Sequence, residues 1–323
     1  MKTRVLILGA TGYVGRRLAA ALHASDWAEP VAATRRKPVA GGDIETVFCE
    51  ATDTSSLTQA AAGVDALVNC VAGSAEAMVA TARAMAEVQA SRSRPLRIVH
   101  FSSMAVYGDA VGRVDEDHPF ASLPAQSYGG AKIQAEALLA DVPQVGILRP
   151  GCIYGAGSPQ WTERIVRLLR ARRLGDLGPA GDGCSNLVHV DDVVAAAAAV
   201  LQRGADGAFN LAMAGAPSWN VYFMRLARAM GAVPVRRVTA RRLKLEGKVL
   251  APPLKILEIA GGKAGLRGLP PVISPALLRL WQQDIRLDVR RAEQVLGMQW
   301  TTLETGLAES LASRPGQSEE TRN

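Results

Sequence analysis

Cysteine, histidine and aromatic residues are all scarce: four cysteines, four histidines and 5 % Phe, Trp and Tyr among 323 residues. The cysteines, Cys49, Cys70, Cys152 and Cys184, lie far apart, with no CxxC pair and no histidine cluster beside them. That excludes a disulfide framework and a zinc site and leaves small buried hydrophobes of a reducing, cytoplasmic protein. The few aromatics are not interleaved with the basic runs, so no nucleic-acid module is indicated. No stretch approaches the ~20 apolar residues that a membrane span needs, and the longest candidate, Val193 to Leu201, is too short. Met1-Lys2-Thr3-Arg4 followed by VLIL imitates the start of a signal peptide, but the apolar run breaks at Gly9. Asp109, Asp115, Glu116 and Asp117 do not follow a calcium-loop spacing and have only His118 beside them. They are expected to form a polar loop over a site mouth, without a metal.

What is present is a globular composition, 48 % hydrophobic and 21 % charged, on a chain long enough for one α/β domain and a smaller second one. Short Val, Ile and Leu runs at 5–8, 30–34, 46–49, 65–71, 96–101 and 144–149 read as buried strands. Helical patterns at 15–25, 57–62, 75–90 and 131–140 lie between most of them, which predicts a doubly wound parallel α/β sheet. Residues 1–155 with 186–212 are assigned to this dinucleotide-type domain, and 156–185 with 213–313 to a mainly helical substrate domain. Residues 314–323 are expected to be a disordered tail. In NLVHVDDVVAAAAAVL, Asp191 or Asp192 is expected to cap a helix, and His189 to be structural. The net charge is +7, much of it in 164–173 and 236–248. The segment RIVRLLRARR reads as an amphipathic helix with a solvated basic face, or alternatively as a contact for an anionic ligand or membrane surface.

VLILGATGYVGRRL places Gly9, Gly12 and Gly15 between the first strand and the first helix. Glycines there let the backbone approach a pyrophosphate, whose charge a helix N-terminus stabilises. At the end of the second strand an NAD-binding fold places an acidic residue, but here VAATRRKP offers Thr34, Arg35, Arg36 and Lys37. Cations at that position favour the additional phosphate, so NADP(H) is expected over NAD(H).

SYGGAK, residues 127–132, puts Tyr128 and Lys132 one helical turn apart, with two glycines between them that each cost about 1 kcal/mol relative to alanine in a helix. An ammonium so placed lowers a phenol's pKa and suits it to proton exchange with an alcohol or carbonyl. The glycines are expected to let a flat nicotinamide ring and the substrate come close. Ser103, just past the strand ending at Phe101, can polarise the carbonyl from the carboxyl edge of the sheet.

GATGYVG, the serine of FSSMAVYG, YGGAK, LRPGCIYGAG and LVHVDDVVAA, in that order, resemble the extended short-chain dehydrogenase/reductase family, of NAD(P)-dependent epimerase/dehydratase type. The similarity runs strongly to about residue 200 and loosely beyond. It implies a Rossmann fold and a Ser103, Tyr128, Lys132 triad in which Tyr128 is the general acid or base. Lys132 would hold the nicotinamide ribose, and Ser103 would bond the reacting oxygen. Gly9, Thr11, Gly12, Tyr13, Val14 and Gly15 would line the pyrophosphate. Glu50 and Ala51 would lie near the adenine, and Val71, Ala72 and Gly73 beside the cofactor. Asn69 is a strand-end residue near the cofactor rather than a catalytic one. A homodimer through two helices of the dinucleotide domain is a further implication.

Members that act on nucleotide sugars commonly carry an arginine just before VHVDD, where this chain has Ser185 and Asn186. A neutral side chain cannot replace a bidentate cation. VLAPPLKILEIAGGKAGL and PPVISPALLRLW are also more apolar than a sugar pocket needs, though such runs also suit a core or dimer surface. The first expectation is therefore an NADP(H)-dependent oxidoreductase acting on a ketone or secondary alcohol of a small to medium, apolar substrate. The alternatives are a nucleotide-sugar epimerase, dehydratase or reductase, and a non-catalytic NADP-binding regulatory protein.

Overall fold

The computed structural model describes residues 1–36, 42–250, 252 and 271–312. Lys37, most of the apolar run 249–266 and the tail 314–323 lie outside the described residues. Eleven strands are described: β1 Thr3–Leu8, β2 Ala28–Thr34, β3 Glu45–Phe48, β4 Ala66–Asn69, β5 Arg97–Phe101, β6 Gly112–Val114, β7 Val145–Pro150, β8 Cys152–Tyr154, β9 Leu187–His189, β10 Gly207–Leu211 and β11 Ile285–Leu287. Seven of them form one parallel sheet in the order β10-β7-β5-β4-β1-β2-β3. The order reverses between β1 and β4, so a crevice opens at their carboxyl ends, where such folds take ligands.

The continuous apolar runs of β1 and β7 are explained by helices on both faces. Val5 and Ile7 face α1 (Tyr13–His23) and its neighbour on the same face, α6 (Val190–Arg203), packing with Leu18, Leu22 and Val193. Leu6 and Leu8 point the other way, toward α2 (Thr54–Ala60), α3 (Ala75–Ala90) and α4 (Tyr128–Leu139), packing with Leu57, Met85 and Leu139. A second core gathers Trp219, Tyr222 and Phe223 of α7 (Trp219–Ala229) with Trp281 and with Leu168 of α5 (Arg164–Arg170). No helix among the described residues is long and apolar enough to cross a membrane.

Several local expectations are corrected. The Gly-rich stretch 151–157 contains β8, which pairs in parallel with β9, and β6 pairs with β11 across 170 residues of sequence. Strands of three residues carry too little periodicity to be read in advance. Neither Asp191 nor Asp192 caps α6. The N-cap is His189, and the two acids fall in the first turn, where Asp191 pairs with Arg17 at 3.1 Å and Asp192 accepts from Thr301 N and Oγ1 at 2.9 and 2.6 Å. The expected basic helix 164–173 ends at Arg170, and Arg173 beyond it is consumed internally, its guanidinium bound by both oxygens of the buried Glu246.

Helix α4 begins at Tyr128, three residues before the apolar pattern starts, because Ser127 caps it by accepting from Gly130 N at 3.0 Å. Gly129 and Gly130 therefore lie in the first turn, where their conformational cost is smallest. Both press on protein backbone. A Cβ at Gly130 would stand 2.1 Å from the Pro124 carbonyl oxygen, and one at Gly129 2.7 Å from that of Ala105. The glycines thus serve a close approach between α4 and the segments at 105 and 123–124, and the expectation that they make room for a nicotinamide ring is replaced by this one.

At an open helical position Gly→Ala stabilises by up to about 1 kcal/mol. Gly130→Ala is expected to reverse that sign, lowering stability by about 1–3 kcal/mol through overpacking, as measured by urea denaturation. A variant as stable as the parent would show that the approach is not tight.

Candidate active site

The turn after β1 is shaped by what glycine lacks. Gly9 has φ +75°, and a Cβ on Gly15 would lie 2.2 Å from the Gly9 carbonyl oxygen, so α1 can start directly against the loop. Gly12 is the N-cap of α1 and offers no side chain to its first-turn N–H groups, and no acid lies in that turn. A helix start of this kind suits an anion. Thr11 is exposed and Val14 half-buried at the same turn. The Tyr13 side chain turns away instead, with Arg16 and Arg17 over its ring at 5.6 and 5.4 Å. Burial pushes its phenol up to about 12.

At the end of β2, Arg35 and Arg36 are both exposed, and Arg36 N donates to Thr34 Oγ1 at 3.1 Å. Glu50, just past β3, accepts from Thr52 Oγ1 at 3.0 Å, and the half-buried Ala51 follows it. Beyond β4 the chain runs through Val71, Ala72 and Gly73, the last two exposed. Asn69 Oδ1 fixes this exit by accepting from Val71 N at 3.0 Å, while its amide meets His100 Nδ1 at 3.1 Å. His100 was not anticipated as a partner. It is buried on β5, where burial, followed by the Lys132 charge, holds its pKa well below the usual imidazole range.

Three elements bring Ser103, Tyr128 and Lys132 together. Ser103 follows β5 and caps the short 3₁₀ turn Met104–Tyr107, accepting from Ala105 N at 3.2 Å. Its side chain also neighbours the Tyr128 phenol, where it favours the ionised form. Lys132, 3 % exposed, passes beneath the Tyr128 ring with Nζ 5.9 Å from the centroid and donates to the Phe101 carbonyl at 2.5 Å. Burial lowers the Lys132 ammonium to about 8, against the opposing charge of Glu136.

The Tyr128 phenol departs from expectation. Its pKa is raised, by burial of the hydroxyl first, with Ser103 acting in the opposite direction. The ring is nonetheless half-exposed. A protonated phenol at a mouth, beside a serine and above a buried cation, can donate a proton to a developing alkoxide.

Ser185 and Asn186 are buried and committed. Ser185 donates to the Pro217 carbonyl at 2.7 Å, and Asn186 clips β11 through Ile285 O and Leu287 N at 2.8 and 3.0 Å. His189 is buried with Asp191 3.8 Å from Nδ1 and Glu309 3.7 Å from Nε2. The two carboxylates address different ring nitrogens, of which a cation could take one.

Comparison with known proteins agrees with this architecture. The model of the NAD dependent epimerase/dehydratase family matches residues 5–212. A 4-hydroxy-2-methyl-3-oxo-4-farnesyl-3,4-dihydroquinoline-1-oxide ketoreductase of Stigmatella aurantiaca is 27 % identical over 241 residues, 66 % of this chain and 69 % of that one. A dTDP-4-dehydrorhamnose reductase of Streptomyces griseus is 28 % identical over 291 residues, 84 % and 90 % of the two chains. Among solved structures, the human epimerase family protein SDR39U1 (isoform2) with NADPH superposes with a TM-score of 0.71 at 18 % identity, covering 97 % of this chain and 100 % of that one. With the glycine turn at a sheet switch point and the family model spanning the sheet, the chain belongs to the NAD dependent epimerase/dehydratase family, the extended type of NAD(P)-dependent short-chain dehydrogenase/reductase.

Proposed function

We propose that this chain is an NADP(H)-dependent oxidoreductase that interconverts a ketone and a secondary alcohol on a small to medium, apolar substrate. The observation that carries the reading is the Tyr128 phenol, with Ser103 beside it and Lys132 beneath its ring, at the carboxyl edge of the sheet. NADP(H), when bound, supplies or accepts the hydride. In the reducing direction Ser103 orients the carbonyl oxygen, and Tyr128 releases its proton to that oxygen as negative charge builds there. The Lys132 ammonium stabilises the phenolate left behind. The glycine turn and the α1 N-terminus would hold the pyrophosphate, and the exposed Arg35 and Arg36 the 2′-phosphate. The assigned substrate domain, 156–185 with 213–313, would cover the substrate.

The buried, committed Ser185 and Asn186 argue against a nucleotide-sugar diphosphate grip at that position. Similarity to the Streptomyces griseus reductase favours the second reading, a nucleotide-sugar enzyme. A panel of apolar ketones and dTDP-4-keto sugars, assayed by NADPH oxidation, separates the two.

Tyr128→Phe should lower turnover by about 10²-fold or more while NADPH binding persists, as followed by cofactor fluorescence. Unchanged turnover would remove Tyr128 from the chemistry, and a wild type inert on the whole panel would favour a binding protein. Arg35→Ser with Arg36→Ser should weaken NADPH by about tenfold or more and leave NADH nearly unchanged. Equal losses for both cofactors would contradict the phosphate assignment. Lys132 is protonated below about 8, so kcat/KM should fall as pH rises through that value. A profile flat to pH 10 would contradict the role given to the ammonium.

A further inference from the structure

Behind the site lies a buried polar network that hydride transfer itself leaves unused. At its centre Glu136, 3 % exposed, stands one turn along α4 from Lys132. Glu136 Oε1 accepts from the Ser102 hydroxyl, and its two oxygens together take the Arg149 guanidinium at 2.7–3.1 Å. Arg149 also donates to the Tyr107 hydroxyl and to the Glu116 carbonyl, each at 2.9 Å, and lies 5.0 Å over the Phe120 ring. Tyr107 in turn donates to Asn210 Oδ1 at 2.7 Å.

Apolar residues of similar volume are often no less stable than a buried ion pair. Stability alone therefore gives this carboxylate no reason to be where it is. Its position does: Ser102 immediately precedes Ser103, and Glu136 shares a helix with Tyr128 and Lys132.

We propose that Glu136 is a positioning residue, holding the strand end at 102–103 against α4 and supplying the buried negative charge that keeps Lys132 protonated. Only the catalytic consequence of this rests on the hydride-transfer reading. The bond to Ser102 ties β5 to α4 directly behind the Ser103–Tyr128 contact. Residues four apart share a helix face, so the carboxylate acts on the ammonium along α4. The other groups around Lys132 are Tyr128 on α4, His100 and the Phe101 carbonyl on β5, and Cys70 after β4, while Arg149 approaches Glu136 from β7. Among them Glu136 makes the largest contribution opposing the effect of burial on the ammonium.

The chain has seven lysines, few enough for each side-chain ¹³Cε signal to be followed by NMR in lysine-labelled full-length protein, with Lys132→Met assigning the relevant one. The wild-type midpoint is expected at about 8. Glu136→Gln keeps the shape and removes the charge, and should lower that midpoint by about one pH unit, tenfold in the ionisation constant. Glu136→Leu combined with Arg149→Met leaves no buried guanidinium without its carboxylate, so it stays foldable where the single change does not, and should move the midpoint in the same direction. An unmoved midpoint in either folded variant overturns the proposal. The titration needs neither cofactor nor substrate, so failure to find ketone turnover would sink the hydride-transfer reading and leave this test standing. Where turnover is measured, the alkaline limb of kcat/KM should shift with the midpoint in Glu136→Gln; a limb that stays in place also overturns the proposal.

Discussion

The seat of α4 on the turn after β5 is the constraint on which the site depends. That turn carries Ser103, and the first residue of α4 is Tyr128, so the distance between backbones sets the distance between hydroxyls. A side chain at 129 would hold the two apart, because it would meet the Ala105 carbonyl oxygen, and one at 130 would push α4 off the Pro124 carbonyl of the segment that leads into it. Two glycines in a first helical turn are a modest conformational cost offset by a contact the chemistry needs.

The second constraint is electrostatic. The Lys132 ammonium bears a net cost of about 3 kcal/mol relative to water, its pKa falling from 10.5 to about 8. Burial alone would cost more: the ammonium also has the Phe101 carbonyl and the Glu136 carboxylate, which is itself secured by Arg149 and Ser102. The site is thus a short chain of alternating charges and dipoles running from the sheet core to the mouth. Its outermost member, the Tyr128 phenol, remains protonated because burial of the hydroxyl outweighs the opposing effect of Ser103. A raised phenol fits a donor that releases its proton only when charge develops opposite it.

The alternation of apolar runs and helical patterns announced the parallel sheet, because strands buried on both faces cannot hide their composition. The glycine turn was legible because three glycines at one βα junction have few other uses. Ser103, Tyr128 and Lys132 could be named because the spacing of four and the strand-end serine are local signals. The β6–β11 and β8–β9 pairings were not legible, since three-residue strands gain their partners only through tertiary packing. Asp191 and Asp192 misled as caps because long-range partners, Arg17 and Thr301, outcompeted the local amides. The Glu136–Arg149 pair had only a faint trace, an arginine inside the otherwise apolar VGILRP, and the sequence could not say what that arginine faced.

The central claim is that Tyr128, aided by Ser103 and Lys132, protonates an oxygen whose carbon receives hydride from a nicotinamide. It is tested most directly by incubating the protein with NADPH deuterated at C4 and an apolar ketone, then locating the label in the product alcohol by mass spectrometry and NMR. The account predicts deuterium on the new carbinol carbon from one face of the nicotinamide only. Product alcohol with no label at that carbon, or label drawn equally from both faces, would contradict it.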